Sequence, residues 1–269
     1  MRYTVLIGLL IGCDGGVDPM ESTPTGEPTM TDTGSKPTTP AKEVPCEGNE
    51  PAAGLITDTA GAPVVGAQIR FCQGKFCQTS DSRSDGSWCA VSADAGWHSM
   101  EVRPDESTGL AIGYVAVEFA DGETRVLNMA LPPLGTPAPL PALPAELDLG
   151  GGIYVTAGID SLETPVFHDD ATEMSGARLE LDDPGFPAID VPGVPVALWF
   201  LAPFEYHADP GLPVRFQLDS VKDGTTLEVW AGSYDAQRWL LAGTVTKNGE
   251  WLEGEAALPV TSSVLLIQP

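Results

Sequence analysis

Past its N-terminal segment this chain is punctuated so densely that only strands fit between the stops. Thirty glycines and 25 prolines are spread through 269 residues, and each apolar run meets one of them, or a charge, within about ten residues. A helix needs an apolar stripe sustained over several turns, whereas a strand needs only about four to eight residues. No convincing amphipathic helix can be drawn in either half of the chain. The expected fold is therefore all-β: two antiparallel β-sandwich modules in tandem.

In the C-terminal half the runs are Ile153 to Gly158, Arg178 to Leu181, Val194 to Phe200, Val214 to Leu218, Thr226 to Ala231, Leu240 to Thr246, Trp251 to Ala256 and Val264 to Ile267. They are β-branched or aromatic and are separated by Gly, Pro, Asp and Asn, the pattern of an antiparallel sandwich or barrel. Lys247-Asn248-Gly249-Glu250 predicts a two-residue type I′ turn, which sets Thr246 opposite Trp251 and Val245 opposite Leu252. Leu241, Val245 and Leu252 then share one face, and Thr244, Thr246, Trp251 and Glu253 the other. Trp251 is expected to face solvent, placed to stack on a sugar or a partner protein. The structural alternative is that it covers a loop or packs against the first module.

In the N-terminal half, Gly54 to Asp58 leads through a turn at Ala60-Gly61-Ala62-Pro63 into Val64 to Phe71, where Ala67, Ile69 and Phe71 share a face. Trp88 and Ala90 share another, with Cys89 opposed. Gly54-x-Ile56-x-Asp58-x-x-Gly61-x-Pro63-Val64-x-Gly66-Ala67-x-Ile69, then Thr79-Ser80-Asp81, Asp85-Gly86-Ser87-Trp88 and Gly96-Trp97-His98-Ser99-Met100-Glu101-Val102, resembles the carboxypeptidase regulatory-like domain. That resemblance covers residues 46–131 and implies a transthyretin-like β-sandwich, usually a non-catalytic scaffold. The chain departs from the pattern in its four cysteines and in Arg83-Ser84 before the Asp-Gly turn. Asp81 to Asp85 lacks the oxygen ligands and terminal Glu of a calcium loop and reads as turn chemistry.

Cys46, Cys72, Cys77 and Cys89 form an even set, which in an exported chain reads as two disulfides. A zinc site would want a repeated spacing that they do not show. Three pairings are possible. Arg70 to Cys77 reads as two strand ends around a Gly-containing loop, which favours Cys72 with Cys77 and Cys46 with Cys89.

At the N-terminus, Arg2 and the short apolar run Tyr3 to Gly12 have signal-peptide character, and a spanning helix would need about 20 residues. Leu10-Ile11-Gly12-Cys13 resembles the bacterial lipobox. The resemblance implies cleavage before Cys13, acylation of its thiol with palmitate-like chains, and attachment to the inner or outer membrane of a bacterial envelope. An ordinary secretory leader is the alternative. Residues 13–45 are Thr, Pro, Gly, Ser and acidic residues, too polar to offset the entropy of ordering, and are expected to be a disordered tether. Residues 132–144 are proline-rich and are expected to be a semi-rigid spacer ahead of the C-terminal module, residues 145–269.

A formal net charge of −25 disfavours nucleic acid and anionic lipid as partners, because both are held by Lys and Arg. No nucleophile elbow, His-Glu-x-x-His, phosphate loop or dinucleotide fingerprint is present, and no cofactor is expected. The reading is a non-enzymatic, lipid-anchored display or interaction protein binding a glycan or another envelope protein. The alternative is an envelope hydrolase with a metal site near His168, Asp169, Asp170 and Glu173, its second histidine coming from His207 or His98.

Overall fold

Between the glycine and proline stops the chain folds into short strands, as a computed structural model describing residues 50–166 and 168–269 places them. They are β1 (Ala52–Asp58), β2 (Gln68–Gln73), β3 (Phe76–Asp81), β4 (Ser87–Ala90), β5 (Gly96–Arg103), β6 (Gly113–Phe119), β7 (Arg125–Val126), β8 (Met129–Leu131), β9 (Ala138–Pro139) and β10 (Ala145–Asp148). There follow β11 (Ile153–Ala157), β12 (Glu173–Leu179), β13 (Val194–Ala202), β14 (His207–Gln217), β15 (Thr226–Ser233), β16 (Arg238–Asn248), β17 (Trp251–Gly254), β18 (Ala257–Val260) and β19 (Ser263–Gln268). The fold is all-β. Cys13, Cys46, the leader and the expected tether lie outside the described residues.

The N-terminal half packs two sheets face to face. One has the order β4-β1-β7, with β8 also on β1; the other runs β3-β2-β5-β6. β1 is antiparallel to β4 and parallel to β7 and β8. The alternation in β2 buries Ile69 and Phe71, which meet Trp88, Met100 and Val102 in one core. Cys72 lies directly opposite Cys77 across the β2–β3 hairpin, and a disulfide joins them with Cα atoms 4.0 Å apart. Cys89 is disulfide-bonded as well. Asp85 caps its turn as expected, its side chain accepting from the Ser87 amide at 2.9 Å.

The C-terminal half is a single sheet of order β10-β11-β14-β17-β16-β15-β19-β13-β12-β9, with β18 on β14. One face encloses a core of Ile153, Val155, Trp199, Phe216, Val229 and Leu266. On strands β12, β13, β15, β16 and β19 the other face is also covered, because Leu179, Phe200, Trp239, Leu265 and Ile267 join the core of the N-terminal half and half-buried Trp230 of β15 packs against it. Burial on both faces explains the unbroken apolar runs Ala197-Leu-Trp-Phe-Leu201 and Val264-Leu-Leu-Ile267, which a sheet with one wet face would interrupt.

The seam is also hydrogen-bonded. β6 is the last strand of its sheet, and such an edge leaves backbone groups unpaired. Side chains of the C-terminal half cap them: Ser263 Oγ donates to Tyr114 O at 2.6 Å, Trp239 Nε1 to Ala116 O at 3.1 Å, and Asp190 Oδ2 accepts from the Glu118 amide at 2.7 Å. Arg125 pairs with the same Asp190. On the facing sheet, the Ala130 amide donates to Gly185 O at 2.8 Å.

Three expectations change. The proline-rich segment does not hold the halves apart: its Leu134 and Gly135 amides donate to Gly109 O and Gly176 O, β9 pairs with β12 and Leu140 is buried. With the seam closed by side chains on both sides, the segment is woven into the fold. In the β16–β17 hairpin, Asn248 lies opposite Trp251 and Thr246 opposite Glu253. Gly249 and Glu250 therefore form the loop, with Gly249 at φ 59°, as a type II′ turn places its glycine. Asp223 Oδ1 accepts from the Gly249 amide at 3.0 Å and holds this register. A slip of two residues leaves each side chain on its expected face. Leu241 is the exception, because an irregularity between Val229 and Trp230 shifts β15 against β16. Across it the alternation reverses, sending Trp239 into the seam and leaving Leu241 exposed.

Candidate functional site

Gly150-Gly151-Gly152 joins β10 to β11 with φ of 90°, 60° and 81°, a left-handed path that glycine takes without steric cost. Space demands glycine too. A Cβ on Gly151 would stand 2.8 Å from Arg178 Cβ, and one on Gly152 2.5 Å from Gln217 O. Trp199 Nε1 anchors the turn by donating to Gly151 O at 2.9 Å.

Above this glycine floor the ends of β12 and β14, the start of β13 and the β16–β17 turn surround an open cleft of about 590 Å³. Its lining is mostly polar and includes Arg178, Glu180, Gln217, Asp219, Ser220 and Glu250. Buried Lys247 ties two of its walls together, Nζ donating to Leu218 O at 2.7 Å and to Glu250 O at 3.2 Å. The volume lies in the range of roughly 300–1,000 Å³ usual for small-ligand pockets.

Gln217 connects this cleft to the outer face of the sheet. It pairs with Trp251 in the β14–β17 register, and its Oε1 accepts from Tyr154 OH at 3.0 Å. The Tyr154 ring stands edge-on to Trp251 at 4.9 Å and 75°. Arg215 lies over the indole, Cζ 3.6 Å from the ring centroid, a cation–π contact. Glu146 pairs with that guanidinium, Oε1 accepting from Nη2 at 2.6 Å and Oε2 lying 2.5 Å from Nε as an ion pair. Desolvation, then the nearby Asp148 and Glu146 carboxylates, push the Tyr154 phenol above its ordinary pKa.

Trp251 is thus half-buried on the outward face, within a Glu146–Arg215–Trp251–Tyr154–Gln217 strip assembled from β10, β11, β14 and β17. Its ring meets Tyr154 and Arg215. Its sequence neighbours gave no sign of the other four, which come from up to about a hundred residues away. The Gly150-Gly151-Gly152 triplet was the available signal for a close backbone approach.

The acidic group around His168 is dispersed. His168 sets its ring edge-on to Tyr206 at 6.1 Å, Tyr206 OH donates to Asp169 O at 2.5 Å, and Asp170 accepts from Thr164 Oγ1 at 2.8 Å. Glu173 opens β12 opposite Pro139. His207 pairs instead with Asp235 at 3.2 Å, and His98 is stacked on Phe71 at 4.9 Å inside the N-terminal half. Among the described residues no group of three or more His, Cys, Asp or Glu is placed to hold a metal ion. Nearby, Glu205 adopts a left-handed φ of 70°, and burial raises its carboxyl pKa against the opposing pull of Arg103. Arg103 Nη2 reaches it at 3.3 Å, while Nε of the same guanidinium pairs with fully buried Glu101. This places the ion pairs at the seam in a structural network.

No protein-family model matches the chain, and no curated protein does. Among solved structures, the crystal structure of a "putative carbohydrate binding protein" from Bacteroides uniformis ATCC 8492 aligns with 81% of this chain and 78% of its own, at 11% identity and a TM-score of 0.25.

Proposed function

We propose that this chain is a non-enzymatic, lipid-anchored protein of a bacterial envelope whose C-terminal half binds a neutral glycan. One observation carries the reading: Gln217, which lines the polar cleft above Gly152, accepts a hydrogen bond from Tyr154 of the Tyr154–Trp251–Arg215 strip. Sugars present hydroxyls around an apolar ring face, and this arrangement offers fixed donors and acceptors beside aromatic edges. Carboxylates in the lining and the net charge of −25 disfavour anionic ligands. Among the described residues no helix is long and apolar enough to cross a membrane, and in this reading acyl chains on Cys13 hold the protein. The N-terminal half serves as a scaffold of the carboxypeptidase regulatory-like kind.

The test is gel retardation and calorimetry of the full chain against soluble cellulose derivatives, xylan, mannan, β-1,3-glucan and chitin oligomers. Saturable binding is expected, weakened about tenfold by Trp251→Ala or Gln217→Ala, an effect of about 1.4 kcal/mol. Absence of binding to the whole panel, or binding that neither substitution changes, would refute the reading.

A further inference from the structure

The wall of the cleft formed by Arg178 and Glu180 has a second open cavity on its other side. That cavity, of about 490 Å³, is lined by the same Arg178 and Glu180, by Thr59 of the β1–β2 turn and by Asp182. The shared pair is tied together, Arg178 Nε donating to Glu180 Oε1 at 2.8 Å, and borders both cavities. Gln217, in the lining of the first cavity, lies opposite Trp251 in the β14–β17 register. The lining residues thus trace a path from Thr59, through the shared Arg178 and Glu180, to Gln217, the register partner of Trp251. Either cavity alone is of a size that holds one small ligand, so a mono- or disaccharide would leave most of this path empty.

We infer that the two cavities and the strip beside them act as one extended groove for the interior of a linear, neutral oligosaccharide or polysaccharide chain, with subsites on both sides of the Arg178–Glu180 pair. The inference rests on the glycan reading above and adds ligand length and linearity to it. Arg178 and Glu180 neutralise each other and present donors and an acceptor to adjacent hydroxyls without selecting a charged sugar. Exposed Asp182 at the far end repels uronate or sulfate groups.

The experiment is calorimetry of the full chain with size-fractionated hydrolysates of cellulose, xylan, mannan, β-1,3-glucan and chitin, in fractions from two to eight sugars. For the backbone that binds, affinity is expected to climb with length by about tenfold or more in total, since each added subsite contributes its own contacts. Thr59→Trp, which fills the far cavity, should bring the eight-sugar affinity down to that of the short fractions. Asp182→Trp gives a second, independent block from the other wall should the first variant fold poorly. Equal affinity for two and eight sugars, or a length dependence that both blocks leave intact, overturns the groove while the glycan reading stands. Tighter binding of an oligogalacturonate series overturns the neutral-chain assignment. No binding by any fraction overturns both readings.

Discussion

Replacing Trp239 by alanine is expected to loosen both halves of the protein together. Trp239 belongs to β16 of the C-terminal sheet, yet it is only 4% exposed because it is sunk into the core of the N-terminal half. Its ring stands edge-on to Tyr114 at 6.4 Å, and its Nε1 supplies the donor for Ala116 O on the open edge of β6. Truncating a buried Trp to Ala costs about 3–5 kcal/mol, and leaving a buried carbonyl unpartnered accounts for about 1–3 kcal/mol of that. For a unit of roughly 150–250 residues each kcal/mol lowers Tm by about 2–4 °C, so the drop should be roughly 6–20 °C. Trp239→Phe keeps an apolar ring but removes the donor, isolating the smaller hydrogen-bond contribution. Calorimetry should show one transition, displaced to lower temperature. Hydrogen exchange read by mass spectrometry should show protection falling in β2 and β5 peptides as well as in β15 and β16. If β2 and β5 keep wild-type protection while β15 and β16 lose theirs, the two halves do not share a cooperative core and the argument from the seam fails.

Two further outcomes follow from the structure and the sequence. Burial holds the His98 imidazole below its ordinary pKa of 6.5, against the hydrogen bond of Nδ1 to the Gly96 carbonyl and the charge of Asp94, which raise it. Below about pH 6.5 the unfolded chain therefore takes up a proton that the folded one resists, and stability falls as pH drops through that value towards the folded pKa. Urea midpoints measured from about pH 8 to about pH 5 should fall less steeply for His98→Gln than for the parent chain, and identical slopes would contradict this. On the proposed lipid-anchor reading, Cys13→Ser should move the protein from the membrane to the soluble fraction of its host, because each acyl methylene no longer buried forfeits roughly 0.8 kcal/mol; retention in the membrane fraction would count against that reading.

The strands were legible because their signals are local. β-branched and aromatic runs between glycine and proline stops mark Ile153 to Gly158 and Thr226 to Ala231 without reference to any other part of the chain, and the strands found there are Ile153–Ala157 and Thr226–Ser233. The hairpin from Arg70 to Cys77 set two cysteines opposite each other for the same reason, since a short loop leaves few registers. The outward orientation of Trp251 also followed from alternation, and it survived a two-residue slip in pairing because the side-chain period is two.

What local signals lacked was any account of which surfaces meet. The reversal that buries Trp239 in the seam and exposes Leu241 depends on an irregularity in pairing between β15 and β16. The capping of β6 by Ser263, Trp239 and Asp190 depends on residues more than seventy positions away. The strip around Trp251 likewise draws Glu146, Tyr154, Arg215 and Gln217 from three other strands. By itself the sequence determined an all-β chain of short strands, one hairpin disulfide and the side of the sheet on which Trp251 stands. Only the tertiary structure decided that the two halves share a core and that a polar cleft opens beside that tryptophan. Those outcomes belong to pairings between distant strands, where burial of apolar area and satisfaction of backbone groups are settled over the whole fold rather than residue by residue.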